Sequence, residues 1–181
     1  MSGLRVLGVV LAGGQARRFG SDKALVEIGG RSLLDRAVMA LTRQCHAVVV
    51  AGRDHAPAPV LADHPRAGLG PLGGVCAALH YGARHGFDAV LSLPVDGFAV
   101  PADLVGELSP APAYALGAPV IGLWPVSARA MLDGLLGEAC VHSMRAFAAR
   151  IGARAVALSR QPHNINTPAD WAALKDHAHG L

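Results

Sequence analysis

The residues best suited to chemistry in this chain lie close to its start. The apolar residues 9–11 lead towards two glycines, Gly13 and Gly14, and the fixed cations Arg18 and Lys23 follow at short range. A glycine-rich turn after a buried strand presents backbone N–H groups without side-chain obstruction, and such a turn can bind a phosphate chain. Arg18 and Lys23 would place positive charge beside the oxygens of a triphosphate. This pattern is typical of a nucleotide-handling loop and indicates an enzyme.

Two carboxylates follow predicted strands further along the chain. Asp63 comes directly after a short apolar stretch at residues 60–62, and Asp96 follows a longer one at residues 89–93. In open parallel sheets the ligand crevice lies outside the carboxyl ends of the strands. We therefore expect Gly13, Gly14, Asp63 and Asp96 to share one crevice.

Two common nucleotide-binding loops do not fit the opening sequence. The Walker pattern requires a lysine directly after its last glycine, whereas Gly20 is followed by Ser21 and Asp22. The dinucleotide fingerprint Gly-x-Gly-x-x-Gly is also absent after the first predicted strand. The sequence therefore disfavours a hydride-transfer enzyme with a standard NAD site.

The elements that must position these residues alternate between short apolar runs and helical segments. This order predicts a three-layer α/β/α fold with a mostly parallel sheet. We expect strands at residues 4–11, 47–51, 60–62, 89–93, 120–123 and 155–158. We expect helices after the N-cap Ser32 and over residues 75–84, 127–136 and 143–151, with another opening at residues 101–104. Before the second helix lies a glycine-rich turn, residues 68–74, which serves either close helix–sheet packing or the approach of a substrate.

Length and composition limit the class of protein. The 181 residues are enough for a single domain over residues 1–181, and a content of 52% hydrophobic and 16% charged residues excludes a disordered chain. With only 4% aromatic residues, the core must consist largely of alanine, valine and leucine. The net charge of +3 suits an anionic small substrate, but the scattered cations and few aromatics argue against nucleic acid as a partner.

Cysteine and histidine spacing predicts no structural zinc site. Cys45, Cys76 and Cys140 are far apart, no Cys/His pair has zinc-ligand spacing, and the nine histidines suggest no ligand group. Reduced thiols in a cytoplasmic protein are the expected reading. The apolar run at residues 6–12 is too short to cross a bilayer and lacks the cleavage site of a signal peptide.

The opening motif resembles a known signature. The pattern Leu11-Ala12-Gly13-Gly14-x-x-x-Arg18-x-Gly20-x-x-Lys23 is similar to that of nucleotidyltransferases, which join an NTP to a phosphorylated acceptor. From residue 11 to about residue 174, the chain resembles the molybdenum cofactor guanylyltransferases, the MobA family. The further motifs that carry this resemblance are Gly70-Pro71-Leu72-Gly73-Gly74, Pro94-Val95-Asp96, Gly122-Leu123-Trp124-Pro125 and Asn164-Ile165-Asn166-Thr167-Pro168. The resemblance implies a Rossmann-like, mostly parallel sheet of the nucleotidyltransferase type.

The resemblance also implies an activity, which is transfer of GMP from GTP to the terminal phosphate of molybdopterin with release of pyrophosphate. It places the nucleotide against the backbone of Leu11, Ala12, Gly13 and Gly14. Lys23 and Arg18 would neutralise phosphate charge, and Asp63 would contact the base and ribose side. The implied catalytic residues are Arg18, Lys23 and Asp96.

Metal and acceptor sites follow from the same resemblance. Asp96 matches the family's Mg²⁺ ligand, and the same residue is implied to contact the nucleotide. Asn164 and Asn166 match residues on the molybdopterin side. Both asparagines precede a predicted helix capped by Thr167, so a purely structural role stays open for them. The implied partners are GTP and molybdopterin, with transient contacts to proteins that deliver the cofactor or accept it, and with no nucleic acid and no membrane.

The chain departs from the family pattern at three places. Ala51 stands where the family has a nucleotide-contacting asparagine, Gly97-Phe98 replaces a Thr/Ser-Pro pair, and Ala118 replaces a histidine. These changes bear on specificity more than on reaction class. Two alternatives therefore stay open, a nucleotidyltransferase with another base or acceptor (a molybdopterin cytidylyltransferase or a sugar-phosphate enzyme) and a non-catalytic nucleotide-binding homologue.

Overall fold

A computed structural model describes residues 3–13, 22–98, 100–138, 142–160 and 163–164, the last two and Phe98 by their backbone alone. Within these ranges the strands are β1 Val6–Leu11, β2 Glu27–Ile28, β3 Arg31–Ser32, β4 Ala47–Ala51, β5 Val60–Leu61, β6 Ala89–Pro94, β7 Gly97–Phe98, β8 Ala113–Ala115, β9 Ala118–Pro125, β10 Arg154–Val156 and β11 His163–Asn164. The α-helices are α1 Leu33–Thr42, α2 Pro71–Arg84, α3 Leu104–Leu108, α4 Arg129–Gly137 and α5 Met144–Arg150. Two 3₁₀ turns complete the described elements, Lys23–Leu25 and Val126–Ala128.

The central sheet has seven strands in the order β10-β8-β9-β6-β1-β4-β5. Strand β1 pairs in parallel with both β4 and β6, β4 pairs in parallel with β5, and β10 with β8. Only β9 runs against its neighbours, β6 and β8. The mostly parallel sheet expected from the sequence is confirmed.

Helices cover both faces of this sheet, as the alternating side chains of β1 require. Leu7 and Val9 point into a core built with α2, α4 and α5. Val6 and Val10 point into a second core built with α1 and α3. The period of two in a strand sends neighbouring apolar residues to opposite faces, which explains why β1 reads as an unbroken hydrophobic run. The three-layer α/β/α arrangement is confirmed.

Most predicted elements lie within a few residues of their observed bounds. Ser32 caps α1, since its hydroxyl accepts a hydrogen bond from the Asp35 amide. Helix α2 begins earlier than expected, with Pro71 in its first turn, and β10 ends earlier, at Val156. Strand β8 has no counterpart among the predictions, because its three residues follow a proline-rich segment and give no periodic signal.

The core is made mainly of alanine, valine and leucine, but two aromatic rings are among its largest side chains. Trp124 and Phe147 are fully buried, with ring centroids 5.3 Å apart. The indole N–H of Trp124 donates to the buried Ser92 hydroxyl at 2.8 Å. A Cβ on Gly122 would lie 2.2 Å from the Trp124 ring, so this position must be glycine. Trp124 is thus a core residue.

In the part of the chain that the structure describes, no helix combines the length and apolar character needed to cross a bilayer.

Candidate active site

The carboxyl ends of four neighbouring strands lie level with one another. Leu11 at the end of β1 is opposite Pro94 of β6 and Ala51 of β4, and Ala51 is opposite Leu61 of β5. The residue two positions beyond each end is therefore brought to one edge of the sheet. These residues are Gly13, Asp96, Arg53 and Asp63.

A cavity of about 370 Å³ opens at this edge. Its volume is within the range of about 300–1,000 Å³ that is usual for small-molecule sites. The predicted residues that line it are Leu11, Ala12, Gly13, Lys23, Asp63 and Asp96. The expected shared crevice is confirmed for Gly13, Asp63 and Asp96, while Gly14 lies outside the described residues.

Backbone contacts fix the start of the glycine-rich loop. The Ala12 amide donates to the Ala51 carbonyl at 2.9 Å, and the Val95 amide donates to the Leu11 carbonyl at 3.0 Å. Beyond these bonds, Gly13 packs directly against the backbone of Gly52. A Cβ on Gly52 would lie 2.4 Å from the Gly13 Cα, and its φ of +86° also favours glycine.

Lys23 and Asp96 form an ion pair inside the cavity. The Lys23 ammonium donates to an Asp96 carboxylate oxygen at 2.7 Å, and the two side chains are only 17% and 22% exposed. Seventy-three positions separate these residues in sequence. The fold thus brings together a cation suited to phosphate and a carboxylate suited to a hard divalent metal ion.

A second ion pair holds the turn that carries Lys23. Asp22 caps this turn by accepting a hydrogen bond from the Ala24 amide at 3.1 Å. Both carboxylate oxygens of Asp22 also accept from the Arg53 guanidinium, at 2.9 and 2.5 Å. The hydrogen bond from Arg53 lowers the pKa of Asp22 below its ordinary value. Sequence reasoning missed this pair, although a cation two residues after a predicted strand was a signal for Arg53.

Asp63 lies between the end of β5 and the first turn of α2. A Cβ on Gly73 would lie 2.9 Å from its carboxyl carbon. Burial raises the pKa of the Asp63 carboxyl, against a hydrogen bond from the Gly68 amide that lowers it. Asp63 is therefore a partly desolvated acceptor that lines the cavity.

The glycine-rich segment at residues 68–74 allows close helix–sheet packing and also lines the cavity. Gly74 allows close packing, since a Cβ there would lie 2.7 Å from the Leu11 side chain and 2.9 Å from that of Ala51. Gly68 and Gly70 line the cavity together with Pro71 and Gly74. These packing demands explain why α2 begins at Pro71 despite the glycines in its first turn.

Gly97 and Phe98, which depart from the family pattern, form the short strand β7, and this strand pairs with the last described strand, β11. Strand β7 pairs antiparallel with β11, which places Gly97 opposite Asn164 and Phe98 opposite His163. The backbone of Asn164 is thereby brought next to the turn that carries Asp96. Gly97 also packs tightly on Pro94, because a Cβ there would lie 3.0 Å from the proline ring.

Three predicted site residues, Gly14, Arg18 and Asn166, lie outside the described residues. Ala51, at the position of the family asparagine, is buried and lines the cavity with a methyl group only. Ala118, the third departure, lies at the start of β9.

The fold brings together cysteine and histidine side chains in which the sequence suggested no ligand group. His64, Cys76, His80 and Asp133 each offer one donor atom, and these atoms lie within 4.8 Å of one another. Burial and the neighbouring Asp133 raise the pKa of the Cys76 thiol to about 12. Burial raises the pKa of Asp133, but hydrogen bonds from His80 and Cys76 outweigh it and hold the value below its usual range. The missed signal was Cys-x-x-x-His, which puts both side chains on one face of a helix.

Comparison with known proteins identifies the chain's relatives. The model of the MobA-like NTP transferase domain matches residues 8–164. A molybdenum cofactor guanylyltransferase from Acidiphilium cryptum is 41% identical over 189 residues, covering 96% of each chain. A protein of the same name from Rhodobacter capsulatus is 37% identical over 187 residues, again covering 96% of each.

A solved structure agrees in fold. The molybdopterin-guanine dinucleotide biosynthesis protein A from Archaeoglobus fulgidus superposes with a TM-score of 0.71 at 19% identity, covering 97% of this chain and all of that one. The family model matches residues 8–164, and the motif residues line a cavity at the level ends of four strands. This chain therefore belongs to the MobA-like NTP transferase family.

Proposed function

We propose that this chain transfers GMP from GTP to the terminal phosphate of molybdopterin and releases pyrophosphate. The observation that carries the proposal is the Lys23–Asp96 ion pair, 2.7 Å long, which lies in the cavity at the carboxyl end of strand β1, beside the glycine-rich loop. Relatives at 41% and 37% identity bear the name molybdenum cofactor guanylyltransferase, which favours guanine over the alternatives left open by the sequence.

The reaction needs positive charge more than it needs a base. An oxygen of the acceptor phosphate attacks the α-phosphorus of GTP, and the bond from that phosphorus to the bridging oxygen breaks. The electron pair leaves with pyrophosphate, and no proton has to be removed, because the acceptor phosphate is already anionic. Catalysis then depends on positioning and on cations beside the phosphates, as in other phosphoryl transfers.

The charges that line the cavity indicate where these cations act. Among the described lining residues, one lysine stands against three aspartates, Asp22, Asp63 and Asp96. Arg53 compensates Asp22, which leaves two carboxylates against Lys23, a net negative charge beside a ligand that is itself an anion. This balance supports a bound divalent cation, and Mg²⁺ is usually held by one or two carboxylates together with phosphate oxygens.

We assign the metal site to Asp96 and phosphate neutralisation to Lys23 and Arg18. Mg²⁺ bound at Asp96 would neutralise charge that develops on the phosphate oxygens. With a metal ion held at Asp96, the Lys23 ammonium would donate to the phosphate oxygens instead of to Asp96. We assign nucleotide binding to the backbone of Leu11, Ala12, Gly13 and Gly14, and acceptor binding to Asn164 and Asn166.

Asp63 is proposed to read the base or the ribose. Its partly desolvated carboxylate can accept from the N–H groups of guanine or from a ribose hydroxyl. Replacing it with alanine should reduce discrimination against ITP, which lacks the 2-amino group, if it contacts the base. Reduced discrimination against dGTP instead would place Asp63 on the ribose.

The test measures pyrophosphate release with GTP, CTP and ATP in the presence of molybdopterin and Mg²⁺. We expect a preference for GTP, and a loss of about 10²–10³-fold in kcat for Lys23→Ala and for Asp96→Asn. Glu27→Gln is the matched control, since it removes an exposed carboxylate charge on β2. A clear preference for CTP would overturn the choice of guanine. Nucleotide binding without turnover would overturn the enzymatic reading.

The proposal includes a cytoplasmic location and one domain over residues 1–181. It also includes transient contacts with proteins that deliver molybdopterin or accept the product.

A further inference from the structure

A cluster of four side chains lies where the loop after β5, helix α2 and helix α4 meet. His64 follows Asp63 directly, Cys76 and His80 lie one turn apart on α2, and Asp133 comes from α4. Their donor atoms lie within 4.8 Å of one another. We refer to these four residues as the α2 tetrad.

The distances in the α2 tetrad centre on one carboxylate oxygen. Oδ1 of Asp133 lies 3.3 Å from the Cys76 Sγ, 3.0 Å from the His80 Nε2 and 3.9 Å from the His64 Nε2. In a tetrahedral zinc site, bonds of about 2.0–2.3 Å set the donors about 3.3–3.8 Å apart. Shifts of a few tenths of an ångström would bring these three contacts to that spacing.

The donor types select the class of metal. One thiol, two imidazoles and one carboxylate form a set that suits zinc and related borderline-soft ions. Magnesium prefers oxygen ligands in an octahedral arrangement, which this set does not supply. The α2 tetrad is therefore chemically distinct from the single carboxylate at Asp96.

One member of the α2 tetrad is buried in the core, and the other three are partly exposed to solvent. Cys76 is fully buried, whereas the side chains of His80, Asp133 and His64 are 29%, 39% and 46% exposed. A metal ion can thus reach the group from solvent, while four protein ligands would close its coordination. The two imidazole rings already lie together, with centroids 4.4 Å apart.

We propose that the α2 tetrad binds one zinc-type divalent cation with tetrahedral geometry. The cation replaces the thiol proton of Cys76, which is released to solvent, and joins three segments: the loop after β5, helix α2 and helix α4. The His64 amide already donates to the Gly73 carbonyl at 3.1 Å, so the metal would fasten a loop that is in contact with α2. This inference concerns metal binding alone and does not depend on the proposed function.

The test uses the full chain, stripped with a chelator and kept reduced by a phosphine, with Co²⁺ and Zn²⁺ as probes. We expect one Co²⁺ per chain, with the absorption of tetrahedral cobalt and a thiolate-to-cobalt charge-transfer band. Zinc should displace the cobalt, and millimolar Mg²⁺ should not. Zinc at about 100 times its Kd should raise Tm by about 5–10 °C.

Variants locate the site and separate it from other thiols and carboxylates. Cys76→Ser should abolish the charge-transfer band and weaken zinc binding at least about 100-fold, since loss of even an outer partner costs 10–100-fold. His64→Gln should weaken it as well, and this partly exposed side chain can be replaced without disturbing the core. The controls Cys45→Ser, His55→Gln and Asp96→Asn should keep the wild-type spectrum.

Two results would overturn the proposal. One is a folded wild-type chain that binds no stoichiometric cobalt or zinc. The other is a cobalt spectrum that persists in both His64→Gln and Cys76→Ser. Either result would mean that the α2 tetrad is a hydrogen-bonded cluster only. Should Cys76→Ser fail to fold, His64→Gln decides the question.

Discussion

Replacing Gly52 with alanine tests the close backbone contact that shapes the candidate active site. An added Cβ would lie 2.4 Å from the Gly13 Cα and 2.6 Å from its amide nitrogen, at a φ of +86°. The left-handed conformation costs a non-glycine residue about 1–2 kcal/mol. Forcing atoms into a packed position costs about 1–3 kcal/mol more, so we expect a total loss of about 2–5 kcal/mol in the free energy of unfolding.

Gly117→Ala is the matched control for this prediction. Gly117 has nearly the same φ, +84°, but a Cβ there meets nothing within 4 Å. It should therefore lose only the conformational part, about 1–2 kcal/mol. The effect of alanine on the unfolded chain is the same for both variants and cancels in the comparison.

Urea denaturation of both variants measures the difference, and calorimetry with GTP and Mg²⁺ measures its effect on binding. We expect Gly52→Ala to be less stable than Gly117→Ala by about 1–3 kcal/mol. It should also bind GTP more weakly, because Gly13 has to move. Equal free energies of unfolding for the two variants would refute the reasoning, since the Gly13–Gly52 contact would then impose no steric limit.

Two further predictions concern side chains. Arg53→Ala should lower the free energy of unfolding by about 0.2–1 kcal/mol at pH 7, as is usual for a partly exposed ion pair. The pKa of Asp22 is lowered in the folded state, so the pair stabilises the fold only while Asp22 is ionised. Urea midpoints of wild type and variant should therefore differ fully above the ordinary pKa of 3.8, and the difference should disappear as the pH falls below that value. Ser92→Ala should lower the free energy of unfolding by about 1–3 kcal/mol, because it leaves the buried indole N–H of Trp124 without its acceptor. The control Ser127→Ala changes an exposed serine and should alter the free energy of unfolding by no more than about 0.5 kcal/mol. Equal urea midpoints for the two serine variants would contradict this account.

Much of the fold could be predicted from local sequence. The strands β1, β4 and β6 are short apolar runs that end at glycine or proline, and Ser32 marks the start of α1 by its capping chemistry. Strand β8 could not be predicted, because its three residues give no local signal and it takes its conformation from pairing with β9 on one side and β10 on the other. The start of α2 at Pro71 could likewise not be predicted, because Gly73 and Gly74 have low helix propensity and only tertiary packing makes this segment helical.

Some features of the candidate site could be predicted from the sequence, and others depend on the tertiary structure. That Gly13, Asp63 and Asp96 meet follows from the rule for parallel strand ends, which needs only strand positions. The Asp22–Arg53 pair and the Gly13–Gly52 contact depend on register. A shift of one residue in β4 would remove both.

The sequence by itself determined the reaction class, because the glycine-rich loop and its cations are local features. Only the tertiary structure decided which side chains face one another. Lys23 meets Asp96 across 73 positions, and Asp133 of α4 completes a group whose other members are His64, Cys76 and His80. Such contacts depend on strand order, register and the crossing of helices over the sheet. Local periodicity does not encode these properties, since it reports only which face of each element is buried.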